Sequence, residues 1–198
     1  EVVRSTIGTV IAEAKRDGRK VLIVEDGGYL VPLVHREFAN DLAVFQGAVE
    51  QTTKGIAEDK ELIPLAFPVA NVADTRIKRD LEAPAVAQAV CENIRSLLFN
   101  VSSVDGDRAL VVGFGTIGRA LATHLQLQAV RVKIADPRPW RRAIATREGF
   151  EVGGRDIRPL VRGEHGLIVI GATGRTSIGL SEILALEHQT VLVSASSD

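Results

Sequence analysis

Residues Ala109-Leu110-Val111-Val112-Gly113-Phe114-Gly115-Thr116-Ile117-Gly118 decide how this chain is read. Leu110–Val112 is a short apolar run of the kind a buried strand requires. Gly113, Gly115 and Gly118 follow with the spacing GxGxxG, and Arg119–Leu127 continues in a helical pattern. Each glycine has a mechanical reason. Gly113 permits the tight turn out of the strand, Gly115 lets backbone approach a pyrophosphate, and Gly118 lets helix and strand pack closely. Thr116, Ile117 and Gly118 then open a helix whose unpaired N–H groups and positive dipole end face the phosphates. Asp136 closes the next apolar run, Val130–Ala135, 23 positions after Gly113. An acid there is placed to accept hydrogen bonds from the hydroxyls of an adenosine ribose. A lone GxGxxG also fits an ordinary glycine turn. Strand, glycines, helix, second strand and terminal acid in this order predict a dinucleotide site.

Outward from this unit the C-terminal half keeps the same rhythm. Strands are expected at Ala109–Val112, Arg131–Ala135, Phe150–Val152, Gly166–Ile170 and Thr190–Ser194. Helices are expected at Thr116–Leu127, Trp140–Glu148 and Leu180–Leu186. Alternation of this kind indicates a parallel sheet covered on both faces, joined by right-handed crossovers. The N-terminal half is also mixed. Val3–Lys15 has helical periodicity, Val21–Val24 reads as a strand, and Glu25–Gly28 as its loop. Tyr29–Ala39 reads as a helix delayed by Pro32, and Leu42–Phe45 as a strand followed by a polar loop to Gly55. Ile56–Glu61 is a short helix, and Leu65–Val72 is a third apolar segment with an edge-like Pro68. A long helix is expected at Ala85–Phe99, started by Pro84, and a polar turn cluster at Asn100–Asp107. The fold class is therefore α/β. Residues 83–198 form a Rossmann-type, doubly wound, NAD-binding domain, preceded by a smaller partial α/β substrate-side lobe at 1–82, with a cleft expected between them.

Bulk properties exclude several classes. The 198 residues are 45% hydrophobic, enough for a real core. With 24 basic and 25 acidic residues the net charge is −1, which argues against a nucleic-acid partner. No apolar run approaches the roughly 20 residues of a membrane helix. No signal peptide is visible, and the single Cys91 excludes an intrachain disulfide, so a reducing, cytoplasmic setting is expected. His35, His124, His165 and His188 lack metal-ligand spacing, so no metal site is expected. The chain opens at Glu1 and contains no methionine, which reads as an excerpt of a longer polypeptide.

Four segments together resemble the S-adenosylhomocysteine hydrolase family. Val24-Glu25-Asp26-Gly27-Gly28-Tyr29-Leu30 looks like that family's Asp-Asp-Gly-Gly-Asp-Leu stretch. Val49-Glu50-Gln51-Thr52-Thr53-Lys54-Gly55 looks like its Glu-Glu-Thr-Thr-Thr-Gly segment. Pro68-Val69-Ala70-Asn71-Val72-Ala73-Asp74-Thr75, with Lys78, is similar to its Pro-Ala-Ile-Asn-Val-Asn-Asp-Ser segment and following lysine. Gly113–Gly118, Asp136 and Glu148-Gly149-Phe150-Glu151-Val152 match its cofactor domain in order and spacing. The resemblance covers roughly residues 8–198. It implies tightly held NAD that oxidises and re-reduces a nucleoside ribose. Thr52 and Thr53 would approach the nicotinamide side. Asp136 would hold the adenosine ribose, and Ala172, Thr173 and Gly174 would line the cofactor. Asp26 would face the substrate and Lys78 would serve the sugar oxidation.

The chain departs from that family on the substrate side. A glutamate of the family falls at Gln51 and an asparagine at Ala73. An aspartate–asparagine pair falls at Glu82 and Ala83, a cysteine at Ala87, and the catalytic histidine near Ser196. Alanine, serine and glutamine cannot take a proton as a general base. Three readings follow. One is an NAD-binding protein without ordinary hydrolase chemistry, either a domain of a larger protein or a redox enzyme for another substrate. The second is an active nucleoside hydrolase, supported by Asp26 and Lys78. The third is a non-enzymatic nucleotide-binding regulatory module. Asp136 repels a 2′-phosphate and favours NAD. Arg138, where the family has an acid, with Arg141 and Arg142 pulls toward NADP; NAD is expected. A nucleoside-type small molecule and, from the tetrameric family, self-association complete the expected partners.

Overall fold

The computed structural model describes residues 1–98, 107–174, 176–187 and 189–195. The expected turn cluster Asn100–Asp107 lies almost wholly outside them, as does Ser196. The chain divides into two compact units, Glu1–Lys78 and Arg79–Asp198.

In the first unit, α1 (Val2–Arg16) turns its Ile11 and Ala14 inward. It leads into β1 (Val21–Glu25) and α2 (Leu30–Glu37). Pro32 lies in the first turn of α2, where a missing N–H is harmless. A 3-10 segment, Ala39–Val44, precedes β2 (Phe45–Glu50), α3 (Thr53–Lys60) and β3 (Val69–Asn71). The strand expected at Leu42–Phe45 is therefore mostly a 3-10 segment, and the expected loop after it is the strand. Its apolar residues register burial, not extended backbone: Val44 and Phe45 join Ile23, Val31, Val34 and Phe67 in the core. The sheet is parallel in the order β1-β2-β3, with Glu25 paired to Glu50 and Glu50 to Asn71. Ile23 and Glu25 face inward, whereas Leu22 and Val24 are exposed.

A π-helical segment, Lys78–Glu82, crosses the boundary into the second unit and runs into α4 (Ala83–Leu98). Then come β4 (Arg108–Val112), α5 (Thr116–Leu127), β5 (Arg131–Ala135), α6 (Pro139–Arg147) and β6 (Glu151–Gly153). A short α7 (Arg158–Val161), which periodicity did not reveal, leads to β7 (Ile168–Gly171), α8 (Leu180–Ile183) and β8 (Val191–Ser194). The five strands are parallel in the order β6-β5-β4-β7-β8, a doubly wound sheet. Alternate residues of β4 serve different faces. Ala109 and Val111 pack with Ala87, Leu121 and Leu125, while Leu110 and Val112 pack with Ile157, Leu160 and Val161. That two-sided burial explains why β4 is a continuous apolar run. Among the described residues no helix is long and apolar enough to cross a membrane.

Candidate functional site

Strand register assembles the centre of the site. Val112 pairs with Ala135 on one side and Gly171 on the other. The next residues, Gly113, Asp136 and Ala172, therefore meet at the carboxyl edge of the sheet. The order in which successive strands are added reverses between β4 and β7 here, the position where open α/β sheets bind ligands.

The three glycines are required for different reasons. Gly113 has φ +104°, and a Cβ on it would lie 2.8 Å from the Ala172 carbonyl oxygen. A Cβ on Gly118 would lie 1.8 Å from the Gly113 carbonyl oxygen, backbone that cannot move aside cheaply. These two are demanded by the fold itself. Gly115, the N-cap of α5, has φ −81°, and a Cβ there would meet only the end of the Arg141 side chain, at 3.3 Å. The protein has no strict need of a glycine at 115. No side chain caps this helix, so the first N–H groups of α5, around the exposed Thr116 and half-buried Ile117, point off the sheet edge.

Asp136 is 2% exposed. Its carboxylate accepts from the Phe114 N–H at 2.8 Å and from the Arg138 N–H at 2.8 Å. It thus ties the glycine loop to the start of α6. Arg141 lies 3.5 Å away, with its guanidinium over the Trp140 ring and its buried Nε without a hydrogen-bond partner among the described residues. Arg142 donates to the carbonyls of Asp136 and Pro137. Ala172 is half-buried, Thr173 hydrogen-bonds Ser177 through its hydroxyl, and Gly174 has φ +66°.

In the first unit Asp26 is exposed on the turn after β1, ahead of Gly27 and Gly28 at φ +112° and +73°. Thr52 caps α3: its hydroxyl accepts from the Gly55 N–H and donates to Glu50. Thr53 is exposed and Gln51 half-buried. Lys78 is half-buried, its N–H donating to the Thr75 hydroxyl. Ala83 and Ala87 are fully buried on α4, leaving no room there for polar chemistry.

Glu25, Glu50 and Asp59 come together unannounced by the sequence. All three are buried. Burial, reinforced by the neighbouring charges of Glu25, Glu50 and Glu58, pushes Asp59 up to about 6. The signal was faint: an acid closing each apolar strand, and an acid one helical turn after Gly55.

No family model matches the chain. Its fold is shared with solved structures. D-lactate dehydrogenase from Escherichia coli is 18% identical, with TM-score 0.57 over 90% of this chain and 60% of that one. The pyruvate reductase of Chlamydomonas reinhardtii is 16% identical, with TM-score 0.57 over 90% and 56%. The A chain of dipicolinate synthase from Bacillus subtilis is 13% identical, with TM-score 0.55 over 77% and 51%. The chain thus spans between half and three-fifths of the length of these proteins.

Proposed function

We propose that Arg79–Asp198 holds a dinucleotide, NAD in preference to NADP, at Gly113–Gly118 and Asp136. We further propose that the chain is an NAD-binding relative of the S-adenosylhomocysteine hydrolases without their ordinary hydrolase chemistry. The observation that carries the first part is Gly115. The fold tolerates a methyl group there, so the bare backbone beside the open N-terminus of α5 is explained by an approaching phosphate. The residues present fit such a group. Gly115, Thr116 and Ile117 would face the pyrophosphate, and Asp136 would offer its remaining lone pairs to ribose hydroxyls. Ala172, Thr173 and Gly174 would flank the cofactor. NAD, when bound, supplies a hydride acceptor. That two of the similar folds are a reductase and a dehydrogenase by name supports this direction.

The second part rests on the resemblance and on the residues that fall at that family's substrate-side positions. Gln51, Ala73, Ala83 and Ala87 supply no titratable group, and Asp26 and Lys78 alone keep the family's chemistry. An active hydrolase would have to run on those two. The reading carries with it a nucleoside-type ligand and self-association. A second cofactor reading, NADP, is favoured by Arg141, which lies against the Asp136 carboxylate and offsets its repulsion of a 2′-phosphate. Calorimetric titration of the whole chain with NAD and NADP tests both. Tighter NAD binding is expected, comparable affinities overturn the preference, and no binding of either overturns the dinucleotide site. Near-ultraviolet absorbance of reduced nicotinamide with adenosine-type substrates then separates a redox or hydrolase enzyme from a binding module.

A further inference from the structure

We propose that Glu25, Glu50 and Asp59 hold one divalent cation of the hard, oxygen-seeking class, such as Mg²⁺, Mn²⁺ or Ca²⁺, at the carboxyl ends of β1 and β2. Each residue offers a carboxylate oxygen, and the three atoms lie within 4.8 Å of one another. Hard cations bind oxygens at about 2.0–2.6 Å, so ligands on opposite sides of one ion stand roughly 4–5 Å apart. The spread of the three oxygens is therefore that of a single coordination shell. Nitrogen and sulfur ligands are not in the group, which points away from zinc and copper.

Local structure builds this cluster from three elements. Glu25 and Glu50 are register partners on adjacent strands, so both carboxylates leave the same face. Gly55 and Asp59 lie one turn apart on α3. A Cβ on Gly55 would fall 2.1 Å from Glu50 Cδ, so the absent side chain is what lets Glu50 lie against the helix, beside Asp59.

Two of the acids are satisfied as anions. Glu25 accepts from the N–H groups of Tyr29, Leu30 and Val31. Glu50 accepts from the N–H groups of Gly27, Gly28 and Thr52 and from the Thr52 hydroxyl. These donors stabilise charge, and one oxygen of each carboxylate, Oε1 of Glu25 and Oε2 of Glu50, accepts a single one of these donors and keeps a further lone pair. Asp59 differs. It is 3% exposed, and neither of its oxygens has a hydrogen-bond partner among the described residues. A buried carboxylate without a donor, beside two other carboxylates, needs either a proton or a compensating positive group. A cation shared by all three supplies it, and would rivet the ends of β1 and β2 to α3, immediately before Gln51 and Thr52.

The test uses the whole chain stripped of metal with a chelator. Mn²⁺ binding is followed by its paramagnetic signal and thermal unfolding is recorded with and without Mn²⁺, for the wild type and Asp59→Asn. The wild type should take up one ion per chain and unfold at a higher temperature with it. Asp59→Asn should lose both responses while unfolding later than the metal-free wild type, because its orphan charge is gone. Wild-type protein that neither binds nor is stabilised by Mn²⁺, Mg²⁺ or Ca²⁺ overturns the proposal and leaves a proton on Asp59 as the compensation. Retention of Mn²⁺ by Asp59→Asn overturns it equally, as surface binding. Should that variant not fold, wild-type stoichiometry and stabilisation decide alone. NAD affinity is a separate readout, so failure here leaves the dinucleotide reading standing.

Discussion

The unequal demands on Gly115 and Gly118 allow folding and ligand binding to be separated within one loop. In Gly118→Ala the new Cβ would start 1.8 Å from the Gly113 carbonyl oxygen. Relief requires more than an ångström of backbone movement. Gly113 cannot yield easily, since its N–H is bonded to the Ala135 carbonyl at 2.7 Å and Ala172 closes its other side. Overpacking of rigid backbone costs on the order of 3 kcal/mol or more. In Gly115→Ala the contact is 3.3 Å to the movable end of Arg141, at an ordinary φ of −81°. The loss should be under about 1 kcal/mol, the usual scale for an unfavourable N-cap. At roughly 3–6 °C per kcal/mol for a unit of this size, Gly118→Ala should unfold roughly 10 °C or more below wild type, and Gly115→Ala within about 6 °C. Dinucleotide affinity should rank the other way for a given loss of stability. Gly115→Val, which fills the approach path, should weaken NAD at least about 100-fold, or about 2.7 kcal/mol, while remaining folded. Calorimetric titration and thermal unfolding measure the two quantities on the same samples. Unchanged NAD affinity in Gly115→Val would refute the assignment of this loop, and wild-type stability of Gly118→Ala would refute the close packing of strand and helix.

Gly55→Ala should be among the most damaging small substitutions in the first unit. Its Cβ meets a Glu50 carboxylate held by four donors, so a loss on the order of 3 kcal/mol is expected in denaturant unfolding, and a neutral result would disprove the contact. Cys91 is buried on α4 and burial pushes its thiol up, so it should react with a disulfide reagent only after unfolding. Rapid native labelling would contradict that placement. The hydrogen bond from Lys133, with Arg108 nearby, holds the Glu164 carboxyl below its ordinary value. A lowered carboxyl stabilises the fold above its unfolded pKa and loses that contribution as pH falls through the folded value. Glu164→Gln should therefore flatten the acid side of the stability profile, and an unchanged profile would show the pair to be inert.

Much of the second unit was legible because its signals are local. An apolar strand buried on both faces, glycines at fixed spacing and an acid at the next strand end each leave a mark within a few residues. The helix Thr116–Leu127 and the strand Arg131–Ala135 stand at their expected positions. The first unit was less legible because burial and extension were confounded at Leu42–Phe45. The apolar residues there face the core from a 3-10 segment, while β2 runs through Gln46 and Gly47, which carry no strand signal. The glycine pattern gave each of its three positions a different role, but not how strictly the fold demands each one. Through-space distances supply that: Gly113 and Gly118 are locked against backbone, whereas Gly115 is left open.

The sequence by itself determined the α/β class, the succession of strands and helices in the second unit and the glycine loop at the end of β4, since these follow from periodicity and turn chemistry along a contiguous chain. Tertiary structure alone decided that Asp136 is buried and holds the glycine loop to α6, and that Arg141 lies against it. It alone brought Glu25, Glu50 and Asp59 within one ion's reach. The physical reason is range. Strand pairing and helix docking bring together side chains far apart in the chain, and the charge they share has no counterpart in any local pattern.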